Sequence, residues 1–143
     1  MPKVGVDKFN ALMAEEMLWA VDVGKTLESI DAGKPVMRLP FDDGMLRPGG
    51  TVSGPTMMAL ADATMYAVVL SAIGIVKLAV TTSFNINFLH RPLPADLMAD
   101  GRLLKLGKRL AVIEVNATFR WPQGARRPRY GDLFHPAGTH LIS

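Results

Sequence analysis

The 143-residue chain contains no cysteine, which excludes disulfides and thiolate chemistry and leaves a reducing compartment open to it. Histidine is scarce, and the three present, at positions 90, 135 and 140, lack the spacing of a metal site. The opening residues Met1 to Lys8 hold no apolar run of the kind that marks a signal peptide, so a cytoplasmic protein is expected. Neither sign of charge dominates. A net charge of +3 mildly favours anionic ligands such as nucleotides without identifying one.

What the chain has in abundance is apolar residues, 49% of the total, at the upper end for a globular protein. Its length suggests one domain, residues 1–143, able to bury a core without disulfide or metal staples. Some of the apolar surface is expected to be covered by another subunit. The longest apolar run, residues 54–74, reads as one helix. Pro55 fits its first turn, where a missing N–H costs nothing. Ser53 or Gly54 can act as the N-cap, and Gly74 supplies a C-terminal stop. Alanines at 59, 61, 63 and 67 would let other backbone come close. The helix is apolar on nearly every face, so it belongs in a core or a membrane. Its length allows a membrane span, but its one charge, Asp62, would be costly in a bilayer and alternating strand patterns follow it, so no membrane partner is expected. Asp62 lies about two turns from Pro55, too deep to serve as a cap.

The remaining chain reads as short elements around this helix. Residues 6–21 show apolar spacings of three and four, with Phe9, Leu12, Met13, Met17 and Ala20 largely on one face and Trp19 as an anchor at the end. Residues 25–30 and 34–41 read as two short strands about the turn Asp31-Ala-Gly-Lys34. Residues 45–53 read as a loop holding Pro48, Gly49 and Gly50, which leads to the long helix. A glycine-rich approach to a helix N-terminus presents free N–H groups to an anion or carbonyl. After Gly74 the period becomes two. Leu78, Val80, Thr82, Phe84, Ile86 and Phe88 fall on one face of a strand, and Ala79, Thr81, Ser83, Asn85 and Asn87 on the other. The polar face is either solvated or lines a wet site. Residues 95–106 and 109–119 form a hairpin turning near Gly107, and residues 132–142 a last strand broken by Pro136. Four arginines between Arg120 and Tyr130 fit a solvated loop better than a nucleic-acid patch, and no nucleic-acid partner is expected.

These patterns imply an α+β protein: a curved antiparallel sheet wrapped around a long central helix, with an extra helix at the N-terminus. On three stretches the chain resembles the hotdog fold, and within it the PaaI-type acyl-CoA thioesterases. The stretches are residues 49–62, residues 80–92 with the terminal Arg91-Pro92, and residues 101–115. The resemblance implies a hydrolase of acyl-CoA thioesters, with coenzyme A as part of the substrate and no other cofactor. It also implies a homodimer or homotetramer with its sites between subunits. In the family's loop–helix motif, His-Gly-Gly is followed by an acidic residue eight positions after the first glycine. Ser53-Gly54-Pro55 and Asp62 take those places here. By the resemblance, the Gly54 N–H polarises the thioester carbonyl, Asp62 is general base or nucleophile, and Thr81 helps to position water.

The departures bear on the reaction. Arg47 stands where the family often has Asn, Ser53 replaces the His, and Pro55 removes an N–H. Arg47 would hold the thioester or a phosphate, or else pair with Asp62 and weaken it as a base. Arg47, Ser53, Arg91, Lys108 and Arg109 are the candidate substrate-binding residues, with Lys105 a further cation that could meet the phosphates of coenzyme A. Each of these cations also fits a solvated surface. Asp62 fits a structural carboxylate bound to loop backbone, and Thr81 an ordinary strand residue. The alternative to an enzyme is a hotdog protein that binds acyl-CoA or another small ligand without turnover. A hydratase on the same fold is disfavoured by the missing loop His.

Overall fold

The computed structural model describes residues 3–16, 26–31, 34–40, 46–47, 51–75, 79–89, 95–120, 132–134 and 137–141. Among the described residues two helices, α1 (Val6–Glu16) and α2 (Gly54–Ile73), accompany nine strands: β1 (Thr26–Asp31), β2 (Lys34–Leu39), β3 (Leu46–Arg47), β4 (Thr51–Val52), β5 (Val80–Asn85), β6 (Asp96–Leu106), β7 (Leu110–Arg120), β8 (Asp132–Phe134) and β9 (Ala137–Leu141). Seven strands form one antiparallel sheet in the order β1-β2-β6-β7-β9-β5, with β8 also paired to β7. This sheet wraps α2, which packs on β2, β6, β7 and β9. The arrangement is the hotdog fold.

The sequence of α2 explains its place. Leu60, Ala61, Met65, Ala67, Val68, Val69 and Leu70 have no solvent exposure. The apolar run that was long enough for a membrane span is therefore the axis of the core. The two buried hydroxyls are satisfied within the helix, where Thr64 Oγ1 donates to the Leu60 carbonyl and Ser71 Oγ to that of Val68, both at 2.8 Å. Opposite it, Met37, Leu39, Leu97, Ala99, Ala111, Ile113, Val115 and Ala117 form the sheet's inner face. The outer face carries ion pairs instead, Arg38 with Asp96 and Arg102 with Glu114.

Helix and sheet come closest at Gly101. A Cβ there would lie 2.5 Å from Val68 Cγ2 and 3.0 Å from Thr64 Cγ2. Both neighbours are β-branched and stiff at χ1, so they cannot swing aside cheaply. Gly101→Ala is expected to destabilise the fold by about 1–3 kcal/mol, the range for overpacking a full core. Denaturant midpoints read this directly, and an unchanged midpoint would mean that the helix can move off the sheet at no cost.

Most boundaries match the periodicity. The apolar pattern of residues 6–21 is helical over Val6–Glu16, and its continuation with Trp19 lies outside the described residues. The loop before α2 contains a small hairpin, β3 with β4, whose two-residue strands are too short to show a period. The last strand is two, β8 and β9, on either side of Pro136. The arginine-rich stretch 121–130 lies outside the described residues.

β5 departs from its expected alternation. Its pairing with β9 shifts register between Thr81 and Ser83, a β-bulge that leaves Thr82 as the extra residue. Ahead of the bulge the odd positions face inward: Ala79 is buried, Thr81 half-buried, and Val80 is 52% exposed. Beyond it the even positions do so, with Phe84 and Ile86 packed on the core. Strict alternation had put Val80 and Thr82 on the same face as Phe84. One inserted residue divides the strand into two phases.

Candidate active site

The loop–helix junction is built by capping. Ser53 is the N-cap, extended at φ −69° and ψ 150°. Its Oγ accepts from the Thr56 N–H at 3.3 Å and shares a hydrogen bond with Thr56 Oγ1 at 2.7 Å. These bonds tie down one of the N–H groups that a helix start leaves without an intrahelical partner. Gly54 opens the helix, followed by Pro55, which has no N–H to offer. The positive end of the helix dipole thus emerges at Gly54. No acidic or basic residue lies in the first or last turn of α2 to offset that dipole.

Along α2 an open stripe runs from this end. Gly54, Ala59 and Asp62 are half-buried, Pro55 is exposed, and Met58 is 41% exposed. Gly54, Met58 and Asp62 follow at intervals of four and therefore share a face. Asp62 does not project alone: Thr81 Oγ1 donates to its Oδ1 at 2.6 Å. The bulge in β5 makes this contact possible, because it lets Thr81 face α2 while Phe84 still packs inward. Among the described residues Asp62 has no other hydrogen-bond or ion-pair partner, so its Oδ2 accepts from none of them. A carboxylate fixed by one oxygen and open at the other can take a proton from water or approach an electrophile.

β5 runs antiparallel along α2, so its continuation reaches the helix start. The Cζ atom of Phe88 lies 3.7 Å from where a Gly54 Cβ would stand, and the ring is 48% exposed. Sequence reading had placed Phe88 only as the end of an apolar strand face. Its position in a Phe-Leu-His-Arg-Pro stretch is no signal that the ring would meet the helix N-terminus.

The structure thus brings Asp62 and Thr81 together and sets Gly54 on the same helical stripe. Ser53 is engaged in capping. Lys108 and Arg109 stand exposed at the turn between β6 and β7, with Lys105 exposed just before it. The backbone of Arg47 lies in β3, while its side chain, and Arg91 altogether, fall outside the described residues, as does the pairing of Arg47 with Asp62. Among the described residues no three His, Asp or Glu side chains cluster as a metal would require.

The sheet wrapped on a central helix places the chain among hotdog-fold proteins. The profile of the Thioesterase superfamily matches residues 49–118, which span the loop, α2 and the β6–β7 hairpin. A solved structure from Silicibacter sp. TM1040, described as a "putative thioesterase", is 33% identical, with a TM-score of 0.82 over 100% of this chain and 94% of that one. A protein of Saccharolobus solfataricus named a "putative esterase" is 28% identical over 117 residues, 81% of this chain and 76% of that protein. The PaaI protein from the phenylacetic acid degradation operon of E. coli shares the fold at a TM-score of 0.76 and 21% identity, over 94% of this chain and 91% of its own. The chain belongs to the thioesterase superfamily and is a thioester hydrolase.

Proposed function

We propose that this protein hydrolyses acyl-CoA thioesters through Asp62, and the observation that carries the reading is the 2.6 Å hydrogen bond from Thr81 to that carboxylate on an otherwise uncharged helix. Oδ2 of Asp62 takes a proton from water as the water oxygen attacks the thioester carbonyl carbon. The carbonyl oxygen gains negative charge, which the Gly54 N–H at the positive end of α2 stabilises. The C–S bond then breaks, and the departing thiolate takes the proton to leave coenzyme A and a carboxylic acid. Attack by the carboxylate itself would use the same open oxygen.

One chain does not hold both groups close enough. Eight residues separate Gly54 from Asp62, roughly 12 Å along the axis at about 1.5 Å per residue. A carbonyl hydrogen-bonded to Gly54 at about 3 Å is then out of reach of water held by Asp62 of the same helix. A second copy, its α2 antiparallel to the first, would bring its Gly54 beside this Asp62. A homodimer, or a tetramer of two dimers, follows from this, each two-fold axis making two sites. Arg47, Ser53, Arg91, Lys108 and Arg109 are the groups for the substrate's polar and phosphate parts. The cytoplasm, where acyl-CoA is made and used, is the matching location.

A panel of acyl-CoA substrates with free-thiol detection tests the reading, and binding without release of thiol from any of them would replace it with a ligand-binding role. Thr81→Val should keep the fold and lower kcat about 10- to 100-fold, since a hydrogen bond to a charged group is worth about 1.5–3 kcal/mol. KM should move much less. An unchanged kcat would reduce Thr81 to a strand residue.

A further inference from the structure

The open stripe on α2 has an end. Beyond Asp62 the stripe is interrupted after Tyr66, one turn further on, because Ala67, Val68, Val69, Leu70 and Ser71 are all buried before Ala72 and Ile73 become half-buried again. The N-terminal segment meets this half of the helix at two points. The Lys3 N–H donates to the Ser71 carbonyl at 2.8 Å, and Val4, Phe9 and Met13 are buried to 2%, 1% and 3% exposure. Phe9 meets Tyr66 with ring centroids 6.2 Å apart and planes tilted by 53°. The cover therefore begins at a pair of aromatic rings, one of them immobilised in the core.

Side chains on a helix lean toward its N-terminus and over the preceding turn. Tyr66 thus leans toward Asp62, and its ring meets that of Phe9. Thr81 holds the Asp62 carboxylate through its hydrogen bond. We propose that Tyr66, backed by Phe9 of α1, is the end wall of the acyl-binding site and limits the enzyme to short, compact acyl groups. This rests on Asp62 being the reacting group. One helical turn is about 6 Å along the axis, the length of roughly four to five carbons of an extended chain. Acyl groups longer than this meet the ring. The extra N-terminal helix, which plays no part in the reaction chemistry, acquires a role in selecting the substrate.

The test uses saturated acyl-CoAs from acetyl to palmitoyl with the full-length protein, Tyr66→Ala and Tyr66→Phe. Turnover is read as kcat/KM for each length. Binding of the same series is read by calorimetry in the Asp62→Asn background, with and without Tyr66→Ala. Wild type should fall off steeply past short chains. Tyr66→Ala should move the limit by several carbons and raise kcat/KM for medium chains on the order of tenfold or more, as expected when apolar pocket volume is released. Tyr66→Phe keeps the ring and should keep the limit. If Tyr66→Ala does not fold, Tyr66→Leu carries the same comparison with less loss of packing. A folded variant whose length profile is unchanged in both turnover and binding overturns the end wall, even with Asp62 catalysis intact. If no acyl-CoA is turned over but the binding profile lengthens in Tyr66→Ala, the wall stands and the hydrolytic reading falls.

Discussion

Asp62→Asn is expected to lower acyl-CoA turnover by at least about a hundredfold, the lower end of what a positioned base contributes. The substitution is nearly isosteric and keeps a carbonyl oxygen able to accept from Thr81 Oγ1, which now lies 2.6 Å from Oδ1. What it removes is the basic oxygen. Because the position is half-buried on the open stripe and not in the core, the melting temperature should scarcely change. Acyl-CoA should still bind. A variant with wild-type turnover would make Asp62 a structural anchor for β5 and return the search for the base to other groups.

Restoration of activity by mixing two inactive variants is the second large effect expected. Gly54→Leu places bulk over the N–H at the start of α2, beside Phe88. Asp62→Asn removes the base. If each site takes Gly54 from one protomer and Asp62 from the other, a heterodimer of these variants has one site with both defects and one with neither. Random exchange of equal amounts would recover roughly a quarter of wild-type activity, since half the dimers are mixed and each has one good site. Were both groups supplied by a single chain, mixing would recover nothing. The starting variants need matched folding by circular dichroism, because a β-carbon before Pro55 disfavours helical backbone.

The helix and its carboxylate were legible in the sequence because their signals are local. A long apolar run with Ser53 and Pro55 at one end and Gly74 at the other could be little else, and Asp62 stood out as its only charge. Tertiary relations left weaker traces. Thr81, Thr82 and Ser83 are alike in size and chemistry, so no pattern marks which of them the strand sets aside, and the bulge appears only in the pairing with β9. Phe88 fits an apolar strand face as well as it fits a ring beside Gly54. Tyr66 sits among apolar neighbours, and its meeting with Phe9 across 57 positions of chain has no period to betray it. The β6–β7 hairpin was plain, with Gly107 at its turn, but the need for Gly101 came from Val68 and Thr64 above it.

The extra residue in β5 has a bearing on how this enzyme can change over generations. Thr82 is exposed, and its side chain enters neither the contact with Asp62 nor the core. Its presence in the count is another matter. With one residue fewer, the strand would run in a single phase, and either Thr81 would turn from Asp62 or Phe84 and Ile86 would turn from the core. A deletion here therefore breaks one contact or the other. The residue count of β5 is held fixed by two demands, one from chemistry and one from folding, that meet in a single backbone unit.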